Sequence, residues 1–257
     1  MYIVKSCFKK DHICTRKTLR IGSLNEYRDT YEAQIADKEE GTVLFNFDLK
    51  DLLVPRDLMN FLSTYHGSYG TDTIDILELT NGTKDNPMHV TVHKYIATKS
   101  LYYKNRFIYC LSLLKNPRDA NRIFSKYDSK WYISIDHIDS IIKLMSAEIL
   151  KGVRERLNNG DTVFNEEIEP EALSITSQVQ SIIYTKRIIN INNIKMINDA
   201  KQIVFLMRNA HFVKTNKFKN EKEIRFSFDF YHKGKMVEPV IKSIIINAEE
   251  ILPLVKK

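Results

Sequence analysis

Apolar residues alternate with polar ones in many short stretches of this chain and recur at helical spacing in two longer ones. The alternating stretches predict strands over Tyr2–Ser6, Thr18–Gly22, Thr42–Asp48, Ile74–Leu79 and Met88–Ile96 in the first part of the chain. Further strands are predicted over Arg106–Leu113, Trp131–Asp136, Ser174–Tyr184, Lys222–Tyr231 and Val240–Ile246. In the third of these, Val43, Phe45 and Phe47 fall on one side. Ile138, Ile141, Ile142, Met145, Ile149 and Val153 predict an amphipathic helix over about Ile138–Leu157, stopped by Asn158-Asn159-Gly160. A second such helix is predicted over Ile194–His211, and a shorter one over Pro55–His66 with its proline at an allowed early position. Ser23 or Asn25 would cap a short helix running to Glu32. Turns are expected at Asp37–Gly41, His66–Thr73 and Asn81–Pro87, and a basic connector over Lys9–Lys17. Strands at both ends with helices between them predict an α+β fold, a mixed sheet with helices packed on it. No repeat and no Pro/Gly/Ser linker is visible, so one domain over residues 1–257 is expected, with a candidate insertion around 50–100.

The length, 257 residues, and a 43% hydrophobic content with 13 Phe and 13 Tyr provide for a substantial core. Cys7, Cys14 and Cys110 form neither a disulfide framework nor a Cys-x-x-Cys zinc pattern, which suits a reducing compartment. No run of about 18 apolar residues predicts a membrane span. The start of the chain does not read as a signal peptide, so the cytoplasm of a bacterium, or of a phage-infected one, is expected. The formal charge of +7 favours an acidic partner, nucleic acid or a phosphate-bearing cofactor. No Gly-x-Gly-x-x-Gly, phosphate loop or Gly-x-Ser-x-Gly motif occurs, and no metal is expected. His89 and His93 have a zinc-like spacing, but valines between them mark a strand.

The concentrated chemistry is Glu221-Lys222-Glu223-Ile224-Arg225. With this segment extended, Ile224, Phe226, Phe228 and Phe230 face a core, while Glu221, Glu223, Arg225, Ser227 and Asp229 share the other face. Two carboxylates on a rigid strand can bind sugar hydroxyls, or stabilise a developing cation while orienting a nucleophile. Arg225 beside them favours their ionised forms. The same pattern also describes an amphipathic strand whose charges pair across a sheet. A second candidate is Ser23 with Asn25, Tyr27, Arg28, Tyr31 and Glu32, a helix cap beside aromatic residues that would line a cleft. Lys214, Lys217, Lys219 and Lys222 form a basic run, either a solvated loop or a phosphate contact.

Three blocks of sequence carry a resemblance. The first runs from Leu19 to Glu32. The second joins Tyr109-Cys110-Leu111-Ser112 to Phe124-Ser125-Lys126-Tyr127 and Trp131-Tyr132-Ile133-Ser134-Ile135. The third is Lys214 followed by Glu221 to Arg225. In this order they resemble the motifs of a large uncharacterised family of bacterial and phage proteins that is similar to ADP-ribosyltransferase-like folds, with some relatives among abortive-infection genes. The resemblance implies curved, split sheets around a cleft that binds NAD as a substrate. It implies that Glu223 hydrogen-bonds the nicotinamide ribose, that Glu221 activates the acceptor and that Ser23 braces Glu223. Tyr27 or Tyr31 would stack on the nicotinamide, and Arg20 and Arg225 would meet the cofactor. Lys5 or Arg20 would stand in the place of the first-strand catalytic residue. The expected function is therefore an NAD-dependent ADP-ribosyltransferase-like enzyme of phage–host conflict. It would modify a protein or nucleic acid, or hydrolyse NAD. The alternative is an inactive scaffold that binds nucleic acid or a host or phage protein. A nuclease-like phosphate enzyme is a third class, and it would need a metal-binding acidic cluster.

Overall fold

Strands lie at both ends of the chain and the two long helices between them, in a computed structural model that describes residues 1–30, 37–65, 70–82 and 88–256. The strands are β1 (Tyr2–Cys7), β2 (Thr18–Ser23), β3 (Thr42–Pro55), β4 (Gly70–Gly82), β5 (His89–Tyr103), β6 (Phe107–Leu114), β7 (Ser129–Ser134), β8 (Leu173–Ser181), β9 (Ile183–Thr185), β10 (Ile188–Asn192), β11 (Val213–Thr215), β12 (Glu223–His232), β13 (Lys235–Val237) and β14 (Ser243–Asn247). The helices are α1 (Ile13–Arg16), α2 (Leu24–Asp29), α3 (Arg56–Ser63), α4 (Ala120–Ile123), α5 (Ile138–Asn158) and α6 (Asn193–Arg208). The fold class is α+β, as the sequence predicts. The chain divides into two compact units, Met1–Glu40 with Asn105–Tyr184 and Asn216–Lys257, and Gly41–Lys104 with Thr185–Thr215. The segment around 50–100 lies in the second unit, together with residues from much later in the chain.

In the first unit eight strands form one curled sheet centred on β12. One edge of β12 pairs with β8, from Ile224↔Ser181 to His232↔Leu173. Its other edge pairs with β6, from Glu223↔Ser112 to Phe228↔Phe107, and then with β13. The far edge of β6 forks. β1 takes its Ser112–Leu114 end and leads to β7, while β2 takes its Phe107–Ile108 end and leads to β14. Every pairing in this sheet is antiparallel; the mixed sheet that the sequence predicts is the one in the second unit. The half-polar alternation of these strands is the pattern that antiparallel pairing favours.

The core explains the apolar half of β12. Ile224, Phe226, Phe228 and Phe230 are all but fully buried and share a cluster with Ile141, Met145, Ile149 and Val153 of α5. Burying each such side chain contributes up to about 1.5–3 kcal/mol. The backbone of α5 comes close to β14 at Gly152, where a Cβ would lie 3.2 Å from Ile244 Cδ1. Past the end of α5, Gly160 adopts φ +84°, which a side chain would strain. Among the described residues, no helix is long and apolar enough to cross a membrane.

The second unit is a four-stranded sheet ordered β10-β3-β5-β4, and its one parallel pair is β10 with β3. Val43, Phe45, Phe47 and Leu49 point inward, then Leu52 and Val54; Asp51, at φ +48°, lies where the inward parity changes. Lys99 is wholly buried, with Nζ 3.1 Å from Asp72 Oδ2 and donating to Thr64 O at 2.6 Å.

Candidate functional site

Alternation on β12 puts Glu223, Arg225, Ser227 and Asp229 on one face, and all four are 5% exposed or less. Both faces of this strand are therefore interior. A buried charge needs partners, and the geometry supplies them. Arg225 donates to Glu223 Oε1 from Nε at 2.9 Å and from Nη2 at 2.8 Å. Its Nη1 donates to Glu40 Oε1 at 2.9 Å. Further along the strand Asp229 lies 3.1–3.2 Å from Nη1 of the buried Arg106. Burial pushes the Asp229 carboxyl above its ordinary range, and Arg106 opposes the shift.

Glu40 reaches this cluster because α2 holds its backbone. Arg28 donates from Nε to Glu40 O at 2.7 Å and from Nη1 to Asn25 Oδ1 at 2.7 Å. The Asn25 N–H is in turn accepted by Asn105 Oδ1 at 2.9 Å. Glu40 itself is 0% exposed, and its Oε2 has no hydrogen-bond partner among the described residues. The first and third sequence blocks are thus joined by the path Arg28–Glu40–Arg225–Glu223.

Lys5, Cys110 and Tyr27 complete the surroundings. Cys110 is the direct cross-strand partner of Arg225 and so projects from the same face. Lys5 Nζ donates to Cys110 O at 3.0 Å and lies 4.8 Å from the Tyr109 ring centroid. That bond falls in the fork of the sheet, where β6 has neither β1 nor β2 on its far edge. Burial lowers the Lys5 amine from its usual range, opposed by the charges of Cys110 and Glu223. Burial raises the Tyr27 phenol well above its ordinary value, and negative charge at Cys110 and Glu223 adds to the shift. The Glu223 N–H donates to Tyr184 Oη at 2.7 Å, which fixes the backbone of the carboxylate's own residue.

The other predicted residues are placed as follows. Ser23 is buried and caps α2, its Oγ accepting from the Glu26 N–H at 3.2 Å; it makes no side-chain bond to Glu223 among the described residues. Arg20 is exposed and ion-pairs with Glu26. Glu221 does not share the strand face with Glu223. It ends the 3-10 turn Asn216–Glu221, and Lys222, at φ +48°, redirects the chain before β12 begins. Its backbone carbonyl accepts from Ser112 Oγ at 2.7 Å. Arg225 has no exposed surface to offer a cofactor in this structure; its donors go to the two carboxylates. Tyr31 and Glu32 lie outside the described residues, as do His66–Tyr69 and 83–87 of the predicted turns. Lys217 and Lys219 are on the same 3-10 turn as Glu221. His89 and His93 are both on β5, where four residues span about 13 Å, too far to share one metal ion.

Sequence reasoning missed Glu40, Ser112 and Tyr184. Ser112 stands directly opposite Glu223 and was visible only as part of the second block. Glu40 read as one more charge in a turn. The arrangement holds a carboxylate at a fixed height on a central strand, with a cation, a phenol and a thiol around it. Such a carboxylate stabilises positive charge developing on a sugar without reorganising first. Searches of the chain against protein families, curated proteins and solved structures find no match.

Proposed function

We propose that this chain is an NAD-consuming enzyme of the ADP-ribosyltransferase kind, acting in phage–host conflict. Glu223 would hold the nicotinamide ribose as its bond to nicotinamide breaks, and Tyr27 would pack on the leaving ring. Lys5, on the first strand, would take the cationic position of the site. Arg225 acts as a positioning residue, and Glu221 is left to act from its turn. The observation that carries this reading is the strand-borne Glu223 clamped by Arg225, with Lys5 bonded to Cys110 O, the residue opposite Arg225. The test is incubation of labelled NAD with a bacterial extract, comparing wild type with Glu223→Gln. The expected result is release of nicotinamide or a labelled product that falls at least about 100-fold in the variant, with an unchanged circular dichroism spectrum.

One observation favours a second reading. Arg225 takes Glu223 Oε1 with two bonds, and Glu40, Glu223, Arg225 and Lys5 together balance in charge. A neutralised cluster suits a scaffold that binds without turnover. That reading expects no NAD consumption by either protein.

A further inference from the structure

A basic, aromatic hollow lies just past the end of β1, outside the cluster around Glu223. It is an open depression of about 560 Å³ lined by Phe8, Lys9, Lys10, Thr15 and Asp128. Phe8 is 42% exposed although it is a large apolar ring. Its packed side meets Tyr127 edge-on, with centroids 5.0 Å apart, and Tyr127 continues to Phe124 at 6.2 Å. The ring is thus held from one side and offered on the other. Lys10 Nζ lies 5.9 Å from the Phe8 centroid.

The charges around the hollow are unevenly spent. Asp128 accepts from the Lys9 backbone N–H at 2.6 Å, so this acid supports the turn. Asp11 is taken by Arg16 at 3.6 Å, and Glu249 by Lys17 at 3.1 Å. Lys9 and Lys10, both exposed, have no ion pair among the described residues. An exposed ring flanked by two ammonium groups without an ion pair, one of them already over the ring, matches a base stacked between phosphates. A duplex would offer the cations its phosphates but no base face to Phe8. A peptide of Asp and Glu would offer charge with no ring to stack on Phe8.

We infer that this hollow is a docking site for single-stranded nucleic acid, with one base stacked on Phe8 and the flanking phosphates on Lys9 and Lys10. The site does not rest on the NAD reading. Phe8 continues the extended backbone of β1, three residues or about 10 Å beyond Lys5.

Fluorescence anisotropy of the full chain with a labelled oligothymidine of roughly 12 nucleotides tests this. Phe8→Ala should weaken binding about 5- to 100-fold, while Phe8→Trp retains it with quenched tryptophan emission. The double variant Lys9→Gln/Lys10→Gln should flatten the log–log salt dependence by about 1.4, two phosphate contacts at about 0.7 each. Thermal melts of the lysine variant should match wild type, because Lys9 and Lys10 are exposed, and Phe8→Ala should stay folded with a small loss from its contact with Tyr127. Several results overturn the inference: no binding at low salt, or equal affinity for wild type and Phe8→Ala. So do equal affinity for duplex of the same length, displacement by polyglutamate as effective as by oligothymidine, or thymidine monophosphate binding as tightly as the oligomer. The last three would assign the hollow to duplex, acidic protein or a free nucleotide.

Discussion

Replacing Arg225 with methionine removes the one guanidinium that Glu40 and Glu223 both use. At about 4 Å between charge centres and an effective dielectric of about 20, each pair attracts by about 4 kcal/mol. Lost hydration costs several kcal/mol per ion, so the intact cluster contributes little net stability. Breaking it is different. Two carboxylates would remain in the interior, one of them already carrying a buried oxygen without a partner among the described residues. The expected loss for Arg225→Met is about 3–5 kcal/mol. At about 2–4 °C per kcal/mol this lowers the Tm by about 6–20 °C. Exchanging the whole cluster, Glu40→Met/Glu223→Met/Arg225→Met, should recover most of that loss, because no charge is then stranded. Urea denaturation with a parallel thermal melt reads both. A loss below about 1 kcal/mol for Arg225→Met, the range of an exposed pair, would refute the buried cluster. So would a triple variant less stable than the single one.

Three further outcomes follow from individual contacts. Ser23→Ala should cost about 1 kcal/mol in urea denaturation, the worth of a helix cap; no loss would remove Ser23 from the cap of α2. Gly22→Ala should cost about 1–3 kcal/mol by overpacking, since its Cβ would lie 2.7 Å from Glu26 Oε2 and 3.1 Å from Tyr27 Cε2; the Glu26 tip can swing aside, and a neutral thermal melt would mean that the Tyr27 ring can too. Burial pushes the Cys7 thiol from 9.0 up to about 11. Its folded value is raised, so its contribution to stability is intact below pH 9 and is lost as pH rises from about 9 through 11. Iodoacetamide at pH 8 should therefore label Cys7 about 100-fold more slowly in the folded chain than in urea, as read by peptide mass spectrometry; equal rates would contradict the raised thiol of this half-buried residue.

What the sequence made legible is what short-range periodicity encodes. The apolar face of β12 and the inward stripe of α5 follow directly from residue spacing, because each is a local pattern read against one core. The opposite face of β12 was legible in its composition but not in its burial. Its cover is assembled from distant residues, and the Glu40–Arg225 bond spans 185 positions. The left-handed turn at Lys222 was not legible either, since lysine carries no preference for positive φ. It moves Glu221 off the strand and so separates two carboxylates that alternation alone would pair. The two-unit organisation left no linker signature, because the chain passes between the units within ordinary strand and turn sequence. Lys5, one of two residues on which the resemblance left the first-strand role open, lies among the charges around Glu223, whereas Arg20 pairs with Glu26 at the surface.

The most direct measurement is nicotinamide release from NAD by the purified chain in the presence of bacterial extract. The proposed chemistry requires release by wild type, a fall of about 100-fold or more in a correctly folded Glu223→Gln protein, and unchanged release in a variant remote from the cluster such as Lys233→Gln. Release that is absent in wild type, or equal in wild type and Glu223→Gln, would contradict it and leave the β12 charges as a structural cluster.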